Sequence, residues 1–175
     1  MDDLQYPVGR LERKPVLTDP ERPQLIDQIA EAPADLRRAV AGLSKEQIDT
    51  PYRPGGWTLR QVVHHLPDSH MNAYVRVKLA LTETHPAIKS YNEKLWAELY
   101  DVHTSPIEAS ITLLESLHQR WVILFRSMKS RDFQRTMLHS DHGTITVDFI
   151  LQLYAWHGRH HVAHITSLRD RMGWK

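Results

Sequence analysis

The segment Tyr154-Ala-Trp-His-Gly-Arg-His-His-Val-Ala-His-Ile165 places four histidines, His157, His160, His161 and His164, within eight residues. On a helix turning about 100° per residue they occupy an arc of about 100°, a single stripe. Imidazole is the commonest metal-ligating side chain. Residues four apart on a helix have Cβ atoms about 5–6 Å apart, so two rings can share one ion. The spacing His-x-x-x-His occurs twice, as His157/His161 and as His160/His164. Helical spacing does not choose between the pairs. One helix rarely supplies more than two or three ligands, and Val62-Val-His-His-Leu66 offers another. There His65 shares a face with Val62, Leu66 and Ser69, while His64 stands four residues before Asp68, so either ring is a candidate. The expected chemistry is a three-histidine metal site built across two helices.

A lone helical histidine is more often a satisfied core or surface residue than a ligand. Four on one stripe change that balance, because burying imidazoles without partners costs on the order of 1–3 kcal/mol each. The stripe also carries Leu153, Tyr154 and Leu168, with Ile165 nearby, which marks it as an inward face. An all-histidine site suits zinc, nickel, copper or iron and, without carboxylates, leans to the first two. Three protein ligands leave a coordination position open, the mark of a catalytic site. An ion so held lowers the pKa of a bound nucleophile, water to about 7 in the best-known case. A thiol would respond to the same field.

The elements that must position these residues are helices. Asp19 and Pro20 open the first, along which Leu25, Ile29, Pro33, Leu36, Val40 and Leu43 recur at helical spacing, with a kink expected at Pro33. Ser44-x-x-Gln47 suits a short capped turn, and Thr58-x-x-Gln61 opens a second helix reaching about Leu81. Pro67 lies inside that helix and should bend it just after His65. Residues 84–104 form a long connection with a turn or two of helix over Asn92–Leu99. Ser105-Pro-Ile-Glu108 is the clearest helix start in the chain, and a third helix follows to about Met128 with Ile111, Leu114, Leu117, Trp121, Leu124 and Phe125 inward. Residues 131–145 suit a small hairpin over Leu138 and Ile145. The last helix runs from near Thr146 to Gly173. The expected fold is all-α: a four-helix bundle in one domain over 1–175, preceded by an extended arm over 1–18.

Composition bounds the function. Twelve histidines are the anomaly; net charge is +1 and the charged residues are interspersed, which leaves no footprint for nucleic acid or an anionic membrane. There is no cysteine, hence no thiolate ligand, disulfide or thiol nucleophile of the chain's own. No run approaches 18 apolar residues and no signal segment opens the chain, so a cytoplasmic protein is expected.

The run Gly55-Gly-Trp-Thr-Leu-Arg-Gln-Val-Val-His-His-Leu-Pro-Asp-Ser-His-Met-Asn72 resembles the DinB/YfiT-like superfamily. So do Trp156-His-x-x-His-His-Val-Ala-His-Ile165, Arg171-Met-Gly-Trp174 and the arm motif Tyr6-Pro-Val-Gly9, and the likeness covers nearly the whole chain. The resemblance implies a four-helix bundle holding one zinc or nickel ion per chain through one histidine of helix two and two of helix four. Carried onto matching positions, it implies His65, His160 and His164 as ligands, with His64, Asp68, His157 and His161 lining the pocket or supporting the ligands. Pro67, two residues after His65, departs from the small helix former expected there. The resemblance further implies a metal-dependent hydrolase acting on a small molecule. The alternatives are an S-transferase that uses a low-molecular-weight thiol of the bacillithiol type on electrophiles, and a metal-binding module without catalysis. Dimers occur in the superfamily, so a homodimer is compatible with the likeness.

Overall fold

The structure is a computed structural model that describes residues 2–175. Four long helices make the bundle: α1 (Glu21–Val40), α2 (Leu59–Thr82), α3 (Ile107–Ser127) and α4 (Val147–Met172). α1 packs on α3 and α4, and α2 packs on the same two. Consecutive helices α1 and α2 therefore face each other across the diagonal, as do α3 and α4. The long connections carry the chain across the bundle. A small sheet, β1 (Ala87–Ile88), β2 (Thr136–His139) and β3 (Gly143–Thr146), caps one end. The expected hairpin is β2–β3, antiparallel with Met137 opposite Ile145, and β1 adds an unforeseen parallel edge to β2. Met137 and Ile145 point into the core, whereas Leu138 is exposed.

Local signals set several helix ends. Thr58 and Gln61 form the reciprocal capping box of α2, Thr146 Oγ1 accepts the Phe149 N–H to cap α4, and Gly173 closes α4 at φ 65°. Two expected starts differ. At α1 the Thr18 N–H and hydroxyl both donate to Glu21, and Asp19 instead accepts from Arg22 and Ser130. At α3 Ser105 makes no cap; Glu108 is drawn to the Arg37 guanidinium of α1. At α3 tertiary ion pairing outcompeted the local cap, whereas at α1 Thr18 with Glu21 takes over locally, one residue earlier. α1 runs through Pro33 and α2 through Pro67 without interruption. The arm is not wholly extended, since Asp2–Gln5 form a helical turn. It lies along α4, where Trp156 Nε1–H donates to the Gly9 carbonyl and Gln152 exchanges hydrogen bonds with the Lys14 backbone.

The apolar core falls into two clusters, one around Trp121, Phe125, Ile150 and Leu151 and the other around Leu36, Leu59, Leu66 and Leu114. Between them the helices contribute imidazoles. His70 lies between Leu66 and Ala73 on α2, His118 between Leu114 and Trp121 on α3, and the α4 histidines between Ala155 and Ile165. A polar layer thus crosses an otherwise apolar bundle.

Candidate metal centre

His65 enters this layer from α2, and His157 and His161 enter it from successive turns of α4. Among the described residues, two histidine trios bring ring nitrogens within 4.8 Å of one another: His65/His157/His161 and His160/His161/His164. In the first, the Nε2 atoms of His65 and His157 are 3.3 Å apart, and the His161 ring centroid lies 4.8 Å from that of His65 and 4.4 Å from that of His157. The expected combination of His65 with His160 and His164 does not close to that distance. The reason is helical phase. The line through His157 and His161 is rotated about 60° from the line through His160 and His164, and the former faces α2.

His160 and His164 turn instead toward the arm and the loop before α2. Trp156 stacks on His160 at 4.3 Å and Tyr52 stacks on His164 at 4.0 Å. His164 Nε2–H donates to the Gln5 carbonyl at 3.1 Å. His64 leaves the site altogether: its Nδ1 meets Ser110 Oγ of α3 at 2.6 Å, and no bond to Asp68 forms. Asp68 is half-buried away from the cleft, and burial, with Asp101 nearby, raises its carboxyl to about 6. Ser69 is buried with its hydroxyl against Tyr154 Oη at 3.3 Å, which suits packing rather than attack.

The electrostatics favour the ligating form of imidazole. Burial pushes His65 down to about 4, and it holds His157 and His161 well below the usual histidine range, with neighbouring rings adding to the effect. Neutral rings keep a lone pair for an ion. A divalent cation fits this donor set on two counts. Metal–nitrogen bonds of about 2.0–2.1 Å in a tetrahedron put two ligand nitrogens about 3.3–3.4 Å apart, the separation of the His65 and His157 Nε2 atoms. His161 Nδ1 is also buried without a hydrogen-bond partner, as are His160 Nδ1 and His164 Nδ1, so this second count suits an ion at either trio and the 3.3 Å separation is what favours the first.

A cleft of about 510 Å³ opens onto the trio. Tyr6, Tyr52, Trp57 and Trp156 supply its aromatic walls, Arg53 and Lys94 its cations, and Glu93 is the one carboxylate lining it among the described residues. Two more functional candidates escaped the sequence reading, His70 and His118. Both are essentially inaccessible, at 0% and 2% exposure. The signal for His118 was present: it continues the inward stripe Ile111, Leu114, Trp121, Phe125, where Leu117 was expected and is only half-buried.

Comparison with known proteins places the chain. The family model of the DinB superfamily matches residues 28–165. The chain belongs to the DinB superfamily. It is 51% identical over 174 residues to a Bacillus cereus (strain AH820) protein named "Putative metal-dependent hydrolase", covering 99% of this chain and 100% of that one. A Bacillus anthracis protein with the same description shows the same identity and coverage. Among solved structures, YfiT from Bacillus subtilis superposes with a TM-score of 0.96 at 47% identity, covering 99% of each chain. YfiT is described as a probable metal-dependent hydrolase with an unusual four-helix bundle topology. Among the described residues no helix is long and apolar enough to cross a membrane.

Proposed function

We propose that the chain is a metal-dependent hydrolase of small molecules whose ion is held by His65, His157 and His161. The observation that carries the assignment is the convergence of these three neutral rings in the cleft, His65 and His161 buried and His157 half-buried, with His65 and His157 nitrogens at 3.3 Å. His160 and His164, the ligands implied by resemblance, instead serve as the wall: Trp156 stacks on His160, Tyr52 stacks on His164, and His164 holds the arm through Gln5. A divalent ion of the zinc or nickel kind would supply Lewis acidity and a lowered nucleophile pKa.

The remaining work falls to the chain. Trp57, tilted against His65 at 4.8 Å, keeps bulk water off one side of the trio. Arg53 and Lys94 at the cleft wall attract a substrate with anionic or strongly polar groups. Glu93 offers the carboxylate that accepts the proton released as the nucleophile attacks. With no cysteine in the chain, a thiol nucleophile would have to arrive as a second substrate, which is how the same cleft would perform S-transfer.

The test is turnover by the zinc- or nickel-loaded protein on a panel of esters and amides, with and without bacillithiol plus monochlorobimane. Cleavage that is lost in His157→Ala supports hydrolysis. A thiol-dependent bimane conjugate without cleavage would replace hydrolysis by S-transfer, and no turnover of either kind would leave a metal-binding module.

A further inference from the structure

His157 is joined to the backbone of α1 through two other imidazoles. Its Nδ1 lies 3.1 Å from His70 Nε2, His70 Nδ1 lies 2.8 Å from His118 Nε2, and His118 Nδ1 lies 2.6 Å from the Ile29 carbonyl oxygen. We propose that this chain of hydrogen bonds is a tautomer relay, in which the Ile29 carbonyl dictates that His157 presents an unprotonated Nε2 to the cleft. His70 and His118 are then positioning residues: His70 bonds the ligand His157 directly at Nδ1, on the side away from the cleft, and His118 acts on it through His70. The inference rests on the assignment of His157 as a ligand made above.

The argument is one of proton counting. A carbonyl oxygen can only accept, so His118 must carry its hydrogen on Nδ1. A neutral His118 therefore has a bare Nε2, which can only accept, and this places the hydrogen of His70 on Nδ1. The bare Nε2 of His70 in turn requires a hydrogen on His157 Nδ1. Three neutral rings have three N–H hydrogens, and the three bonds use all of them. The lone pair left over is on His157 Nε2, the atom 3.3 Å from His65 Nε2. His65 is consequently the donor across that contact in the metal-free protein. An added proton on His70 or His118 would set two N–H groups against each other, and at 0% and 2% exposure neither ring can turn to water instead.

The surroundings hold the rings to this geometry. Tyr154 meets His70 edge-on at 4.9 Å and 90°, and Trp121 meets His70 at 85° and His118 at 84°. The planes of His70 and His118 lie 20° apart. Metal-ligating histidines characteristically donate their second nitrogen to an acceptor that fixes tautomer and orientation. Here the acceptor is itself an imidazole, set by another, so elements α1, α3 and α2 all act on one α4 nitrogen.

The primary readout needs no variant. Imidazole nitrogen NMR on the metal-free, 15N-histidine-labelled full-length protein should show His157, His70 and His118 each protonated at Nδ1 and bare at Nε2. A protonated Nε2 on His157, or rapid averaging between its tautomers, overturns the relay. The second readout is zinc affinity by competition with a chromophoric chelator. His70→Leu removes the acceptor and should weaken zinc by about 10- to 100-fold. His70→Gln, whose amide can accept from His157 and donate to His118, should recover most of the loss and restore the Nδ1–H signature. Equal affinities for the two variants would refute the relay. Should the parent bind no zinc while the three Nδ1–H signatures are present, the relay stands and the metal assignment fails.

Discussion

His65 on α2 and His157 on α4 lie 92 positions apart in the chain, yet their Nε2 atoms are 3.3 Å from each other. That separation matches one edge of a tetrahedral site, and it selects one of two histidine pairs that the sequence presents equally. If the selection is right, His65→Ala, His157→Ala and His161→Ala each abolish stoichiometric zinc or nickel after dialysis. The loss should exceed the about 10- to 100-fold expected from altering a supporting residue. His160→Ala and His164→Ala should keep the ion. Elemental analysis of the five purified variants decides it: an ion lost from the His160 and His164 variants but kept by His157→Ala would return the site to the other pair.

What was legible in the sequence was mostly local. Thr58 with Gln61, Thr146 and Gly173 terminate helices through bonds within one turn, so their residue types suffice. The bundle followed from helix lengths and apolar periods. The pairing of His65 was not legible, because His157, His160, His161 and His164 fit one stripe and only the contact with α2 distinguishes 60° of phase. The place of His118 on the inward stripe was legible, but what satisfies it was hidden. Its partners are the Ile29 carbonyl and His70, on other helices, and a polar residue within an apolar stripe gives no hint of who satisfies it. Glu108 shows the reverse error: a good local cap signal, spent on Arg37 across the bundle.

Acid should destabilise the metal-free protein well above the carboxylate range. Burial lowers His65 and His118 to about 4 in the folded state, against about 6.5 unfolded. Between those values the unfolded chain binds a proton at each position and the native chain does not, so stability falls as pH falls from about 6.5 toward about 4. Each such histidine contributes about 1.4 kcal/mol per pH unit. Asp68, raised to about 6, works in the opposite sense, since the folded state protonates first. His70, His157 and His161 are lowered as well and outweigh it. Urea unfolding at successive pH values should therefore show a net fall of at least about 1.4 kcal/mol per unit over this window. A flat profile between pH 6.5 and 5 would contradict the neutral, buried state of these rings.

A second buried polar feature ties the start of α1 to the start of α4. Arg22 donates to both Asp148 oxygens, at 2.8 and 2.9 Å, and Asp148 also accepts from Gln134 at 2.7 Å. The side chains are 7% and 2% exposed. Asp148→Asn leaves the buried guanidinium with only the exposed Asp19 carboxylate and the Leu17 carbonyl, so it should cost about 3 kcal/mol of unfolding free energy, the lower end for breaking a buried pair. Replacing both with apolar residues of similar volume, Arg22→Met with Asp148→Leu, should cost far less, because no ion is left buried. Chemical denaturation of the single and double variants tests this, and a single-variant loss below about 1 kcal/mol, the scale of a surface pair, would show the pair to be solvated.

Gly158 sits inside α4, where a glycine weakens a helix by about 1 kcal/mol relative to alanine. A Cβ built there would stand 3.0 Å from Ala32 Cβ of α1, so Gly158 is what lets these two helices approach. The Ala32 methyl has no torsion by which to retreat, and relief requires α1 and α4 to part. Overpacking of this kind costs about 1–3 kcal/mol, which outweighs the helical gain, so Gly158→Ala should be destabilising. In an Ala32→Gly background the contact vanishes and the same substitution should become stabilising. Ala32 lies one turn after Ile29, whose carbonyl anchors His118. Parting the helices should therefore also disturb the His157 tautomer in Gly158→Ala, and the double variant should restore it. A Gly158→Ala protein as stable as the parent, with unchanged imidazole spectra, would mean that the α1–α4 contact has slack and that the relay's anchor does not depend on it.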